Sequence, residues 1–434
     1  MSDISPLQAV RDSFKNLVAN LNTNRDKQSA GNYYVTDLTD ETLSGIYRTS
    51  WMGRKIVDIP AKDATRKWRE WEAEGQEIEA IEAEEKRLLL PQKVLKALKL
   101  SRLYGGSAIY FSIENDDPEL PLDVETIKPE SLMFVTVLQK SILQAGDIDQ
   151  DPMSEYYGRP LWYQVSGATS GVQRIHPSRL AIFSGNDPLD SNGNNGMRQG
   201  WGDSVLQAAY EAVRNADSTA SNLASLVYEA KVDVLKIPDL AGIMSNPRTR
   251  ALLEQRVELS AQLKGNNGML IVDGEEDYSQ KTFTFAGLPE ISYQALQAVS
   301  GAADIPLTRF LGQSPAGLTS TGESDLKNYY DAVNSMQTLT VTPALANLDA
   351  ALIRSTLGKT SDDVTYSWAS LWQMTDEQKS RISKEAAETI KILAETGLFM
   401  DDDLAAASVN MLVEHSILPS FEYTHAAMAE EDEI

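Results

Sequence analysis

The residue types that carry most enzyme chemistry are scarce in this chain of 434 residues. There is no cysteine, which removes disulfides, zinc–thiolate sites and cysteine nucleophiles together. The three histidines, His176, His415 and His425, are far apart in the sequence, and none has a second ligand at metal-binding spacing. We expect His176, which precedes Pro177 beside a predicted strand, to have a structural role. No metal site is predicted.

Motifs for nucleophilic catalysis and nucleotide binding are also missing from the sequence. It contains no G-x-S-x-G elbow and no Walker A signature. The run G-L-T-S-T-G at 317–322 resembles a phosphate-binding loop only loosely, because no Lys-Ser/Thr pair follows it and no convincing strand precedes it. The pairs Asp116-Asp117 and Asp362-Asp363 fall in predicted loops, where solvated turns explain them. We therefore predict no catalytic residues, no cofactor and no enzymatic activity.

Two tryptophans beside three basic residues form the most basic aromatic cluster of the sequence. Trp68 and Trp71 are interleaved with Arg66, Lys67 and Arg69 on a predicted helix. Stacking with interleaved basic residues can bind nucleic acid. Residues three apart share one face of a helix, however, which more often means core packing or a subunit contact.

Charge limits the function further. The 63 acidic residues outnumber the 39 basic ones and give a net charge of −24 at pH 7. Proteins that hold nucleic acid over a broad surface neutralise phosphates with Lys and Arg, so stationary binding of that kind is disfavoured. The charge indicates either solubility alone or a surface past which a polyanion moves without adhering.

Cellular location follows from the same composition. No run of about 18 apolar residues is present, so no membrane span and no membrane partner are predicted. The N-terminal sequence lacks the apolar core and cleavage site of a signal peptide. Because cysteine is absent, we expect a protein assembled in a reducing cytosol.

The N-terminal half combines helices with short β-rich runs. Residues 1–36 are polar and poorly patterned, and we predict a flexible arm. Four helices are predicted next, beginning at Asp40, Ser50, Pro60 and Glu77. Pro91 is expected to break the fourth. After Gly105-Gly106 the runs SAIYFSI, SLMFVTVL, PLWYQVS and RLAIFSG predict a mainly antiparallel sheet with helices packed on it.

The middle of the chain runs out along one helix and back along another. A helix of about 27 residues begins at Asp203-Ser204, and its alanine-rich face permits close approach of a helix in this chain or in another subunit. A shorter helix returns from Pro289 to about Ala303. The α/β unit predicted between them comprises the strand 232–237, a helix over 252–263, and the strands GMLIVDG and KTFTFAG joined by an acidic turn at Glu275-Glu276-Asp277.

The segment 304–322 is rich in glycine, proline, serine and threonine. Proline restricts its own φ and glycine permits positive φ, so we predict a loop between two helices, and long internal loops are usually functional. A helix over 323–357 with a kink at Pro343 follows, then a strand in VTYSWASLW. A capping box at Thr375 predicts a helix to Thr396-Gly397, and another helix is predicted to start among Asp401, Asp402 and Asp403. This region is strongly anionic, with four basic and twelve acidic side chains over 379–434.

Three motifs resemble the portal proteins of tailed bacteriophages. They are HPSRLAIFSG at 176–185, GWGDSVLQAAYEAV at 200–213, and AADIPLTRFLGQSPAGLTSTGESDLKNYYDAV at 302–333 with TPAL at 342–345. The third motif is the most specific, and it is most similar to a phage-associated portal subfamily with a G-Q-S-P-A-G loop. The resemblance covers about residues 33 to 430.

The resemblance implies an α+β portal fold with a wing, a helical stem, an α/β clip and a short helical crown, assembling into a ring of usually twelve subunits. The implied parts are the N-terminal arm 1–36, the wing 37–202, stem helix 1 at 203–230, the clip 231–288, stem helix 2 at 289–303, the tunnel loop 304–322, the wing helix and strand 323–374, and the crown with its acidic tail 375–434.

By the same resemblance, the ring stands at the portal vertex of a virion capsid assembled in the host bacterial cytoplasm, and double-stranded DNA is packaged and ejected through it without sequence readout. The implied partners are the terminase large subunit, a head–tail adaptor, and the major capsid or scaffold protein. Another head–tail connector or capsid-associated structural protein is the alternative. The side chains expected at the channel are Arg309, Gln313, Ser314, Pro315, Ala316, Gly317, Leu318, Thr319, Ser320, Thr321 and Lys327, where the two cations flank the loop and offer transient phosphate contacts.

Overall fold

The computed structural model describes residues 37–73, 75–154, 157–165, 173–187, 189, 200–228, 231–263, 277–282, 287–312, 322–359, 364–372, 376–396 and 408. Helices dominate these residues and every pair of strands among them is antiparallel, which confirms the predicted α+β class. The predicted arm at 1–36, and the predicted helix beginning at Asp401-Asp402-Asp403, lie outside the described residues.

Two helices open the described chain. Helix α1 spans Asp40–Thr49 and helix α2 spans Trp51–Arg66. The predicted cap at Ser50 is confirmed, because its hydroxyl accepts a hydrogen bond from an amide in the first turn of α2 at 3.4 Å. The cap of α1 is Thr39, whereas the predicted capping residue, Asp40, lies inside the first turn.

Pro60 lies inside α2 and does not begin a third helix, so that prediction is wrong. Proline has no N–H and leaves the carbonyl of Ile56, four residues earlier, without its helical partner. Arg102 takes that place, since its Nη2 donates to the Ile56 carbonyl at 2.8 Å and its Nε donates to the Val57 carbonyl at 3.2 Å. Burial lowers the pKa of Arg102 to about 10, so the guanidinium stays charged at neutral pH. A distant cation therefore lets α2 continue through Pro60.

A short strand follows α2 directly. Strand β1, Arg69–Glu72, pairs with β10, Thr365–Trp368, which the sequence predicted as a strand. The prediction that the two tryptophans share a helical face is wrong. Arg69 and Trp71 are buried while the glutamates that alternate with them are exposed, and this period of two is that of a strand.

Arg69 is fully buried between elements that are distant in the sequence. Its Nε donates to Glu85 at 2.8 Å, and its Nη1 donates to Asp349, 280 positions away, at 2.6 Å. The guanidinium also lies 4.5 Å from the ring centroids of both Trp71 and Tyr366. Burial by itself lowers the pKa of Arg69, but the charges of Asp349 and Glu85 outweigh it and the net pKa is raised. The basic aromatic cluster of the sequence is therefore core, and not an exposed stacking surface.

Helix α3 spans Gly75–Leu88 and helix α4 spans Leu90–Tyr104. The predicted break is confirmed and lies at Leu89, whose φ is 54°. Pro91 occupies the first turn of α4, where a missing N–H is tolerated.

Two small sheets occupy the region where one was predicted. The first has the order β3-β2-β7 and the second the order β4-β5-β6. Their strands are β2 Gly106–Ile113, β3 Leu132–Gln139, β4 Leu143–Ala145, β5 Tyr163–Val165, β6 Gln173–Ile175 and β7 Leu180–Ser184. Helix α4 covers one face of the first sheet, and the second sheet packs on the other face around Ala108, Leu180 and Tyr163.

Three glycines join the first sheet to helix α5, Val205–Tyr228. The carbonyl of Gly105 accepts hydrogen bonds from the amides of Gly185 at 2.9 Å and Gly202 at 3.0 Å. Gly105 has a φ of 83°, and a Cβ there would lie 2.1 Å from the Gly202 carbonyl oxygen. The end of the first motif and the start of the second thus meet at one close backbone junction.

Helix α5 packs along helix α8, Leu288–Ala303, so its alanine-rich face is used within the chain. Between them lie β8 Lys231–Lys236, α6 Leu240–Ser245, α7 Pro247–Leu263 and β9 Asp277–Thr282. The predicted acidic turn is wrong at Asp277, which begins β9 and pairs with Lys236. Helix α6 was not predicted, α7 begins five residues before its predicted start, and the predicted strand GMLIVDG lies outside the described residues.

The predicted long helix after the loop is continuous. It comprises α10 Glu323–Met336, a π-helical turn at Gln337–Val341, and α11 Thr342–Leu357. The π turn ends two residues before Pro343, where the sequence predicted a kink, and the Thr342 hydroxyl donates to the Gln337 carbonyl at 3.1 Å. Helix α12, Asp376–Thr396, follows β10, and Thr375 lies outside the described residues.

The contact between Arg102 and the interrupted turn of α2 predicts a coupled pair of mutations. Replacing Arg102 with methionine leaves buried carbonyls unpaired and should lower the free energy of unfolding by about 1–3 kcal/mol. In a Pro60→Ala background the residue at 60 can again donate to Ile56, so the same replacement should cost about 1 kcal/mol less. Urea unfolding followed by tryptophan fluorescence measures both.

The matched control is Arg381→Met, because that side chain is 72% exposed on α12. Its effect should stay within about 0.5 kcal/mol. Equal losses for Arg102→Met in both backgrounds would contradict the assigned role.

Candidate functional site

The two ends of the predicted loop are tied to one buried carboxylate. Asp63 on α2 is 1% exposed. Arg309, which precedes residues 313–321, donates to it twice, from Nε to Oδ2 at 3.0 Å and from Nη2 to Oδ1 at 2.8 Å. Tyr329, after the loop, donates its hydroxyl to Oδ2 at 2.9 Å. Residues on both sides of 313–321 therefore converge on one helix of the body.

The first part of the predicted loop is helical. Helix α9, Leu307–Leu311, contradicts the prediction that 304–322 is loop throughout. Phe310 is fully buried and stacks at 5.7 Å from the ring of Trp51, so apolar burial holds α9 against α2. The ammonium of Lys55 donates to the Phe310 carbonyl at 2.5 Å and satisfies the C-terminal end of α9. Gly312, with a φ of 72°, then ends the helix.

Arg309 and Tyr329 both remain protonated donors to Asp63. Hydrogen bonding to Asp63 raises the pKa of Arg309, so its guanidinium remains charged. Burial, and then the charge of Asp63, raise the pKa of Tyr329, which keeps its phenol protonated as a donor. The carboxylate thus receives three donated hydrogen bonds, which offset the cost of burying its charge.

The two cations predicted at the loop margins differ in their surroundings. The fork of Arg309 is occupied by Asp63, although 37% of its side chain remains exposed. Lys327 is exposed on α10, between the loop and Tyr329. A further cation, Arg66, lies 3.5 Å from Asp63, and its guanidinium stands 5.1 Å from the ring centroid of Tyr330.

The nine remaining candidate residues lie outside the described residues. They are Gln313, Ser314, Pro315, Ala316, Gly317, Leu318, Thr319, Ser320 and Thr321.

Sequence reasoning did not identify Asp63, Tyr329 or Lys55. The available signal for Asp63 was helical spacing, because it lies seven residues after Ile56 and four after Ile59 on the buried face of α2. A carboxylate on such a face needs a buried partner, but nothing in the sequence identifies that partner.

The described residues form neither a metal-binding cluster nor a helix suited to a bilayer. In the part of the chain that the structure describes, no group of three or more His, Asp or Glu side chains is placed to hold a metal ion. Among the same residues, no helix combines the length and apolar character that a bilayer crossing needs. The imidazole of His176 interacts with its neighbour Ser178, Nδ1 to Oγ, at 2.7 Å and caps the turn that precedes β7.

The chain has two kinds of relatives by sequence. It is 37% identical over 426 residues to a protein of Sphingomonas paeninsulae named anti-CBASS protein Acb1, a match that covers 96% of this chain and 68% of the relative. A protein of the same name from Caulobacter sp. (strain RHG1) is 38% identical, and the match covers 97% of this chain and 70% of that relative. An uncharacterised protein of Haemophilus influenzae Rd is 29% identical, with 91% of this chain and 89% of the relative covered.

Solved structures with the same fold come from particle necks. The chain is similar to a protein in the neck of an empty gene transfer agent particle, computed with C6 symmetry, at a TM-score of 0.51 and 16% identity over 87% of this chain and 95% of that one. It is also similar to a protein in the neck of the native particle, computed with C12 symmetry. The TM-score is 0.51 and the identity 14%, over 88% of this chain and 96% of that one. At these identities the likeness concerns the fold alone.

A family model described as phage portal protein matches residues 41–392. This confirms the resemblance at the level of the family, whereas the likeness to a subfamily with the G-Q-S-P-A-G loop stays a prediction. Because the match extends from the start of α1 into α12 and takes in both elements that hold Asp63, this chain belongs to the phage portal protein family.

Proposed function

We propose that this chain is the subunit of a ring at the portal vertex of a capsid, through which double-stranded DNA is packaged and ejected. Membership of the phage portal protein family is the observation that carries this proposal. Its support is the fold shared with proteins in particle necks computed with C6 and C12 symmetry. A ring of twelve copies in the virion, assembled in the host cytoplasm, is the form we propose.

Surfaces that a single chain leaves in water favour assembly. Large apolar side chains are exposed on α5, α7 and α8, among them Leu226, Leu252, Val257, Leu259 and Ile291. Among the described residues, strands β8 and β9 form a ribbon of two strands, and a ribbon of that size is marginally stable by itself. Another copy is the partner we propose, because repeated rotation brings the same pair of surfaces together around a closed ring.

The charge of the chain suits a channel for a moving polyanion. Each copy carries −24, so the ring as a whole repels phosphate and does not retain DNA by broad contact. We propose that residues 313–321 and Lys327 touch the DNA backbone transiently and without reading bases. Arg309 stands at the base of this loop with its charge already shared with Asp63, so we assign it mainly to holding the loop.

DNA packaging requires other proteins that drive the DNA through the ring and that close the ring afterwards. We propose the terminase large subunit and a head–tail adaptor as docking partners at the clip, and the major capsid or scaffold protein at the wing. The alternative is another head–tail connector or a capsid-associated structural protein with the same fold. A ring that assembles but does not support DNA packaging would favour that alternative.

Ring formation is the first expected outcome. Purified chain should form closed rings of about a dozen copies. Native mass spectrometry and averaged electron micrographs with a central hole measure this. Leu252→Glu together with Val257→Glu should weaken assembly, because both apolar side chains are exposed on α7. The control is Glu258→Gln on the same helix, where an exposed side chain loses its charge, and this variant should assemble normally. A stable monomer or dimer under all assembly conditions would oppose the proposal.

The loop is tested by deletion in an assembled particle. Removing 314–321 should leave rings intact but reduce packaged or retained DNA severalfold, since the transient collar around DNA is lost. DNA protected from nuclease measures the effect. A deletion of the same length at 191–198, between β7 and α5, is the control. Unchanged packaging after the first deletion would refute the role of the loop.

The contact of Asp63 with Arg309 and Tyr329 predicts that substitutions there make the neighbouring chain easier to cut by proteases. Asp63→Asn leaves Arg309 and Tyr329 without their carboxylate and should lower the free energy of unfolding by about 3 kcal/mol, at the lower end for a buried pair because Arg309 is partly exposed. Tyr329→Phe should cost about 1.5 kcal/mol. Limited proteolysis should cut within 307–322 faster in both variants. Asp331→Asn, exposed on α10, is the matched control, and equal cutting in all proteins would contradict this prediction.

A further inference from the structure

One face of this acidic chain is basic. Helix α4 has four basic residues and no acidic one over Leu90–Tyr104. Helix α2, which packs against it, adds Lys62, which is 54% exposed. We call the four side chains Lys62, Lys93, Lys96 and Lys99 the lysine face.

A single buried carboxylate serves two members of the lysine face. The Oδ2 atom of Asp58, a residue only 8% exposed, lies 3.2 Å from the ammonium of Lys62 and 3.1 Å from that of Lys99. The same carboxylate accepts a hydrogen bond from Tyr47 at 3.0 Å. Burial tends to raise the pKa of Asp58, but the hydrogen bonds from Lys99, Tyr47 and Lys62 outweigh it and the pKa is lowered. Asp58 is therefore ionised, and its single negative charge is already shared between Lys62 and Lys99.

The other two lysines have no such partner among the described residues. No described carboxylate lies within 4.0 Å of the ammonium of Lys93 or Lys96. Residues three apart on a helix are neighbours, so Lys93, Lys96 and Lys99 follow one another along α4. The face thus carries three more positive charges than negative ones, and like charges at this spacing repel until an anionic group joins them.

The chain contains its own anionic counterpart. Residues 397–434 include nine acidic residues and no lysine or arginine. The polypeptide also approaches the lysine face on its way there, since the carbonyl of Leu371 accepts a hydrogen bond at 2.8 Å from Nη2 of Arg66, one helical turn beyond Lys62. Helix α12 begins five residues later, at Asp376.

We propose that the lysine face binds the acidic C-terminal segment, residues 397–434, of the same chain. Lysine ammoniums are point charges on flexible stems, which suits several carboxylates of a segment without one fixed geometry. Tethering raises the effective concentration of the segment to about the millimolar range, so weak individual pairs suffice. The contact is a property of one chain and does not require the proposed ring.

Duplex DNA is the competing partner for four lysines. It is less favoured because α1, beside α2, brings the exposed Glu41 and the partly buried Asp40, and because the whole chain is strongly acidic. Its binding is an outcome of the test below.

Zero-length coupling of carboxylates to amines in the full-length chain tests the proposal. After carbodiimide treatment and peptide mass spectrometry, links from the lysine face to the acids of 397–434 should be at least about fivefold more abundant than links from Lys86 or Lys327, which are exposed controls. Half-molar salt should reduce them severalfold, because it screens exposed pairs. Links absent from the lysine face, or found only between isotopically mixed copies, would overturn the proposal.

Charge reversal gives an independent readout. Lys93→Glu with Lys96→Glu should increase the rate at which thermolysin cuts after residue 397 about threefold or more, whereas Lys86→Glu with Lys128→Glu, at two exposed lysines, should not. Fluorescence anisotropy with a labelled 20-base-pair duplex completes the test. DNA binding that the first pair of substitutions abolishes, with cleavage of the segment unchanged, would overturn the proposal in favour of DNA.

Discussion

The burial of the Asp63 carboxylate is the constraint on which the candidate site depends. An ionised carboxylate away from water is costly unless donors surround it, and the donors here come from both sides of the undescribed stretch 313–321. One charge therefore holds both α9 and α10 against α2. Lys55, on the same helix, holds the last turn of α9 through the Phe310 carbonyl. The segment that we propose to touch passing DNA is therefore held to α2 by residues on both of its sides.

Two buried arginines, Arg102 and Arg69, connect distant segments elsewhere in the described chain by donating hydrogen bonds. Arg102 supplies donors where Pro60 has removed one, and its own carbonyl accepts a hydrogen bond from Ser204, which precedes the long helix α5. Arg69 joins β1, α3 and α11 through two carboxylates, and β10 supplies one of the aromatic rings around it. Each of these side chains connects segments that lie far apart in sequence. Removing one partner would leave an uncompensated group in the core, so the loss of either side of such a contact destabilises the fold.

Charge is distributed unevenly for a chain with a net charge of −24. Basic residues of α2 and α4 are concentrated near buried acids and on the lysine face, while the C-terminal region carries a large acidic excess. A proposed channel subunit gains from this separation, because the acidic excess opposes adhesion of DNA while local cations remain available for holding loops and for contacts within the chain.

The sequence by itself determined the class of fold, the positions of most helices and strands, and the family. Those features follow from local signals, namely capping at Ser50, the break before Pro91, helical spacing along α5, and a long specific motif at 302–333. Only the tertiary structure decided that α2 continues through Pro60, that Trp71 lies in a strand, and that Arg309 meets Asp63 instead of standing free beside the loop. In each case the deciding partner is distant: Arg102 for Pro60, β10 for β1, and a residue 246 positions away for Arg309. Local propensity contains no information about such partners, because the energy of a buried polar contact exists only once both groups have been brought out of water together.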